Sequence, residues 1–237
     1  AGKINRQLEF LPTDEELAER HSRGEYLTPP ELSVLTSYVK GDIKQELAAS
    51  PLLDDNYLAR EMLVAFPAPL IQKYGEQLRR HPLHRELAAT QIANGMVNLM
   101  GMNFVARMEY ETGASVEKIA RAFLVARDAF GIDEYQKHIC DLDYKISPQV
   151  QKEMLLDLIR LVRRATRWIL RNRRRTIEVE SEVEKLRKGV KLLANQFEPL
   201  LSGDQGRNWQ AKARYFEEAG VPAGFAALDD AAVRLIQ

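Results

Sequence analysis

A chain of 237 residues, 45% hydrophobic and 29% charged, is long enough to bury one large core or two modest ones. Its 34 basic and 34 acidic side chains balance, which removes any overall bias toward polyanionic partners. A single cysteine, Cys140, excludes an internal disulfide framework and fits a reducing compartment, and no apolar run approaches the roughly 18 residues of a membrane span.

Taken in order, almost every segment reads as helix. The start, Ala1-Gly2-Lys3, has no methionine and no signal-peptide core, so the expectation is a piece of a longer protein. Thr13 followed by Glu16 makes a capping box for a short acidic helix. Thr28-Pro29-Pro30-Glu31 repeats that signal with proline at the first helical position. Leu32, Leu35, Val39, Ile43 and Leu47 then mark an inward face that Ser50-Pro51 ends. Asp54 or Asp55 caps a helix carrying Leu58, Met62 and Leu63, which Pro67 and Pro69 break. A short helix with Leu70, Tyr74 and Leu78 runs on to Pro82.

Next comes a helix with amides on one face. Leu87, Gln91, Asn94 and Asn98 share one sector of its wheel, and Ile92, Ala93, Met96, Val97 and Leu99 make the rest apolar. Burial nearly all round is expected, and buried amides need partners, so Gln91, Asn94 and Asn98 read as a polar stripe that sets helix register. Gly113 suits the left-handed position after a helix, and Ser115 the next N-cap. Val116, Ile119, Ala120, Phe123, Leu124, Arg127 and Phe130 continue the period until Gly131. Ser147-Pro148 opens the longest helix, with Val150, Met154, Leu158, Leu161, Val162, Ala165 and Ile169 inward. Val183, Leu186, Val190, Leu193, Phe197 and Leu200 then alternate steps of three and four, as a packed helical pair requires. Ile177, Val179 and Val183 leave a short strand open there. Ser202-Gly203-Asp204-Gln205-Gly206 reads as a loop, and the chain stops at Gln237 inside a helical pattern.

The fold class is all-α, a bundle of antiparallel helices and αα-hairpins with little or no β. The expected division is a connecting segment over 1–26, a first helical lobe over 27–146 and a second over 147–237, or one continuous domain.

The strongest charge feature spans Arg160 to Arg175, with eight arginines and no acid. Arg160, Arg163, Arg164, Arg167, Arg171 and Arg174 share about a third of the wheel, opposite Leu158, Ala165 and Ile169, with Trp168 toward the apolar side. Such a face can meet nucleic acid, an anionic membrane or an acidic protein surface. Glu178, Glu180, Glu182 and Glu184 follow at once and offer internal partners, so a paired face, or a contact face for protein, is the expectation. Phe104 to Phe130 imitates a helix-turn-helix, but its second helix offers Phe123, Leu124 and Val125 where base-reading groups would stand. An αα-hairpin fits better. His81 and His84 stand three apart across Pro82, not i,i+4 on a helix, so no zinc site is expected. Cys140 reads as a buried thiol. A Gly-rich dinucleotide loop, a phosphate loop and a Ser-His-Asp set are all missing from the sequence.

Several phrases taken together resemble one family. They are Leu27-Thr28-Pro29-Pro30-Glu31-Leu32-Ser33-Val34-Leu35, Asp55-Asn56-Tyr57-Leu58-Ala59-Arg60-Glu61, the tract from Thr90-Gln91-Ile92-Ala93-Asn94 through Glu111-Thr112-Gly113-Ala114, and Val162-Arg163-Arg164-Ala165-Thr166-Arg167-Trp168. The family is the large NAD-specific glutamate dehydrogenases of bacteria, and the likeness falls in their C-terminal helical region, over most of residues 8 to 200. It implies a parent enzyme that oxidatively deaminates L-glutamate to 2-oxoglutarate and ammonium with NAD. A lysine, an aspartate and a Rossmann unit carry that chemistry, and none of those motifs occurs here. No residue therefore inherits a catalytic, cofactor-binding or metal role. The resemblance implies an accessory domain that packs on the catalytic core of the same polypeptide in a cytoplasmic homo-oligomer. NAD would serve the parent and no cofactor this region, with no nucleic acid or membrane partner. The other reading is a free-standing module that binds nucleic acid or acidic membrane through the arginine helix.

Overall fold

The computed structural model describes residues 4–173, 175–200 and 203–222, without the side chains of residues 59, 193–200 and 205. Among the described residues the chain is helix and turn with no strand, which makes it all-α. It divides into two compact units, Ala1–Phe104 and Val105–Gln237.

In the first unit, helix α1 (Asp14–Ser22) starts on the expected capping box. Thr13 Oγ1 accepts from the Glu16 amide at 3.2 Å, and Glu16 accepts from the Thr13 amide at 2.8 Å. Helix α2 (Pro29–Ala49) has proline at its start, and Glu31 accepts from the Thr28 amide at 2.7 Å. That backbone bond and Arg20 hold the Glu31 carboxyl below the ordinary range. Ile43 and Leu47 are its buried residues.

The segment expected as an α-helix after Asp54 or Asp55 is instead 3-10 over Leu58–Ala65, the second of two such pieces, the first being Pro51–Asp54. Pro67 explains where the second stops: the residue before a proline is driven to extended backbone, and Phe66 lies at φ −117°, ψ 145°. Leu52, Leu53, Leu58 and Met62 are still buried. Helix α3 (Ala68–Arg79) is kinked at Tyr74 and buries nothing fully. Helix α4 (His84–Met100) lies on α2 and on the second 3-10 piece, burying Ala88, Ala89, Ile92, Ala93, Met96 and Val97. Arg85 fastens its first turn to the end of α2, donating to the Ser50 carbonyl at 2.8 Å and pairing with Asp54. Carbonyls at a helix C-terminus have no intrahelical donor, so a guanidinium there satisfies them.

In the second unit, α5 (Phe104–Thr112) leads through Gly113, at φ 68°, to α6 (Val116–Phe130), where Ser115 Oγ accepts from the Lys118 amide as expected. Residues 119 to 126 of α6 are buried without a break, which leaves that run no face to read bases. Helices α7 (Ile132–Cys140), α8 (Pro148–Asn172) and α9 (Val179–Leu200) pack around α6, and α10 (Gly203–Glu218) follows.

The structure changes several expectations. Helix α7 fills a stretch given no element, and it turns Ile132 and Ile139 inward while leaving the Cys140 thiol exposed, not buried. Ile177 is buried in the link before α9, and Val179 and Val183 are helical, so no strand forms. Gly203 to Gly206 is the first turn of α10 and not a loop. Of the a/d seam, Val183 is buried and Leu186 and Val190 half-buried; the side chains of Leu193, Phe197 and Leu200 lie outside the described residues, as do 223–237. Compactness divides the chain at Phe104/Val105 and not at 146/147, because α6 packs on α8 and α9.

Phe123 is fully buried in α6. Phe123→Ala is expected to destabilise the second unit by about 3–5 kcal/mol, read from the urea midpoint of unfolding.

Candidate contact face

The amide stripe of α4 comes out partly at the surface. Gln91 and Asn94 are half-buried, and Asn98 is exposed at the last turn. All-round burial was the expectation for this helix; Ile92, Ala93, Met96 and Val97 satisfy it, whereas Leu99 and the amide face do not. The reason is that α4 is covered by α2 on one side and by the 3-10 piece on another. Asn98 does join helices, since its Oδ1 accepts from Lys40 Nζ of α2 at 2.6 Å.

The arginine face lies along α8, and Leu158, Ala165 and Ile169 opposite it are buried as expected. Its members have different surroundings. Arg160 is half-exposed and pairs with buried Asp157 at 2.7 Å. Asp157 is fixed from the other side by Lys212 of α10. Arg167 Nη2 lies 2.6 Å from Glu111 Oε2 of α5. Arg171 is exposed, and Arg174 lies outside the described residues. Trp168 was placed on the apolar side, yet it is 41% exposed, with the Arg173 guanidinium 5.6 Å from its ring. It sits one position past the arginine sector, at the edge where α8 meets water.

Arg163 is the most perturbed member. Partial burial, then repulsion from Arg107 and Arg167, holds it below the ordinary guanidinium value, with Glu111 acting the other way. The sequence reading missed Arg107 and Glu111 as neighbours of this face. Their i,i+4 spacing on α5 was visible, but only the fold brings them against α8. Arg164 Nη1 and Arg167 Nε are buried without hydrogen-bond partners.

Beyond the end of α8 an open cleft of about 550 Å³ is lined by Arg171, Arg173, Arg175, Thr176 and Glu182, among others. Here the expected acidic partner is found: Arg173 Nε donates to Glu182 Oε2 at 2.7 Å. Burial raises the Glu182 carboxyl, but Arg173 and Lys185 outweigh it and hold it below the ordinary range.

The remaining candidates are structural. His81 Nδ1 accepts from the Leu83 amide at 3.1 Å inside a tight turn, and no cluster of three or more metal-ligating side chains occurs among the described residues. No described helix is long and apolar enough to cross a membrane.

A carboxyl held low in the folded state stabilises above its unfolded pKa and loses that contribution as pH falls through the folded value. Glu182→Gln should therefore cost about 1 kcal/mol or less at pH 7, and the gap to wild type should close below about pH 4. Urea unfolding at both pH values measures it, and a constant gap would exclude the ion pair as its source.

Comparison with known proteins assigns these helices to a family. The chain matches the family described as "Glutamate dehydrogenase, C-terminal" over residues 24–233. It is 45% identical over 221 residues to the NAD-specific glutamate dehydrogenase of Pseudomonas aeruginosa, covering 93% of this chain and 14% of that protein. The protein of the same name from Halomonas elongata is 41% identical over 226 residues, 95% of this chain and 14% of its own length. That from Mycobacterium tuberculosis is 30% identical over 223 residues, 94% of this chain and again 14% of its length. The chain thus spans about a seventh of the curated relatives it matches, and it belongs to the glutamate dehydrogenase C-terminal family.

Proposed function

We propose that this chain is a noncatalytic helical region of an NAD-dependent glutamate dehydrogenase. It packs on the catalytic core of the same polypeptide and supports assembly of a cytoplasmic homo-oligomer. The observation that carries this reading is the coverage: nearly the whole chain aligns, yet it accounts for only 14% of relatives named as NAD-specific glutamate dehydrogenases. The parent reaction is then oxidative deamination of L-glutamate to 2-oxoglutarate and ammonium, with the hydride passing to NAD.

The residues present do not fit NAD. A dinucleotide cradle is a strand, a glycine-rich turn and a helix that meets the pyrophosphate, and no strand occurs among the described residues. Their principal polar contacts join helices instead: Arg85 to the end of α2, Arg121 to the Ile177 carbonyl at 3.3 Å, Asp157 to Lys212. A nucleic-acid or membrane module is not favoured, because Arg160, Arg167 and Arg173 are each paired with a carboxylate of this chain.

Calorimetric titration of the chain with NAD is expected to show no saturable heat, and a glutamate oxidation assay no turnover; micromolar NAD binding would sink the proposal. In the parent enzyme, Asn94→Leu is expected to shift the unfolding midpoint or the sedimentation of the assembly. Loss of turnover with both unchanged would instead place Asn94 in the chemistry.

A further inference from the structure

The guanidiniums where α5 meets α8 are not balanced. Arg163, Arg164 and Arg167 occupy one turn of α8, and Arg107 and Glu111 stand i,i+4 on α5, tied to α8 through the Arg167–Glu111 contact. Among the described residues Glu111 is the carboxylate in ion-pair contact with this group, and it is engaged by Arg167. Arg107, Arg163 and Arg164 have no such contact. Nη1 of Arg164 and Nε of Arg167 are out of water and unbonded, which a charged donor ordinarily is not. Like charges held together with too few counter-charges favour any anion that can span them.

The geometry points to a phosphoryl-anion site formed by Arg107, Arg163, Arg164 and Arg167, which takes a terminal phosphoryl group as a dianion. Two features select that chemistry. Each guanidinium is a rigid fork that matches phosphate or carboxylate oxygens two at a time. Forks reaching in from two helices suit a tetrahedral group with three outer oxygens, whereas a planar carboxylate meets one fork at a time, and Glu111 meets Arg167 through Nη2 alone, leaving its Nε unbonded. Repulsion from Arg107, Arg167 and Arg164 already weighs on Arg163, so a bound dianion would relieve it. NAD, whose two phosphates are each closed by a ribose ester and by the anhydride bridge between them, lacks the terminal group the site needs.

The test is calorimetric titration of the chain at constant ionic strength with inorganic pyrophosphate, ADP, succinate and NAD. Pyrophosphate and ADP should bind saturably, with succinate and NAD at least about tenfold weaker. Arg163→Gln plus Arg164→Gln should weaken pyrophosphate binding about tenfold or more, whereas Arg79→Gln plus Arg80→Gln, on exposed residues of the other unit, should not. If the first pair unfolds the protein, exposed Arg107→Gln serves in its place and should weaken binding severalfold. No saturable pyrophosphate heat, succinate or NAD binding as tight as ADP, or unchanged affinity in the arginine variants would each overturn the proposal.

Discussion

A helix buried on every side is the constraint from which the second unit follows. Residues 119 to 126 of α6 are out of water, including Arg121 at 7% exposure. An α-helix ordinarily turns one stripe inward, so all-round burial demands neighbours on every face. Helices α7, α8 and α9 supply them. The one charge in that run decides where the chain enters α9. Arg121 is held by Glu117 one turn earlier and reaches the Ile177 carbonyl, so the link between α8 and α9 must come to α6. A buried guanidinium without such partners would destabilise by several kcal/mol.

The same logic, ion pairs and hydrogen bonds that join helices, repeats across both units. Arg85 and Asp157 connect elements distant in sequence, and Glu182 joins the end of α8 to α9. The lowered Glu182 carboxyl therefore reports packing first. The α5–α8 arginines depart from that rule because their charge is not returned by neighbours.

Much of the fold was legible because its signals are local. Thr13 and Glu16, Gly113 and Ser115, and Ser147-Pro148 lie within a few residues of the groups they satisfy, so capping chemistry marked those boundaries. The misses have physical causes. The segment from Leu58 to Ala65 has helical apolar spacing, but Pro67 ends it before an α-helix gains from cooperativity, and the tighter 3-10 form results. Helix α7 is only nine residues long, and its signal was two isoleucines seven apart with acids first and bases last. The candidate face was half legible. Its α8 arginines follow from periodicity, whereas Arg107 and Glu111 join them only through folding, which no spacing on a single helix reveals. Asn98 came out at the surface because the amide sector extends past the part of α4 that its neighbours cover.

Lys212 and Asp157 are 55 residues apart. Bringing them together closes a loop whose entropy loss is on the order of 3–4 kcal/mol, more than a partly exposed ion pair returns. The pair alone therefore cannot hold α10 in place; the buried side chains of Ala213, Phe216 and Val221 must carry its attachment, and the lysine fixes only the angle at which it lands. Attachment of α10 is then a hydrophobic latch, set by three buried side chains and only oriented by charge.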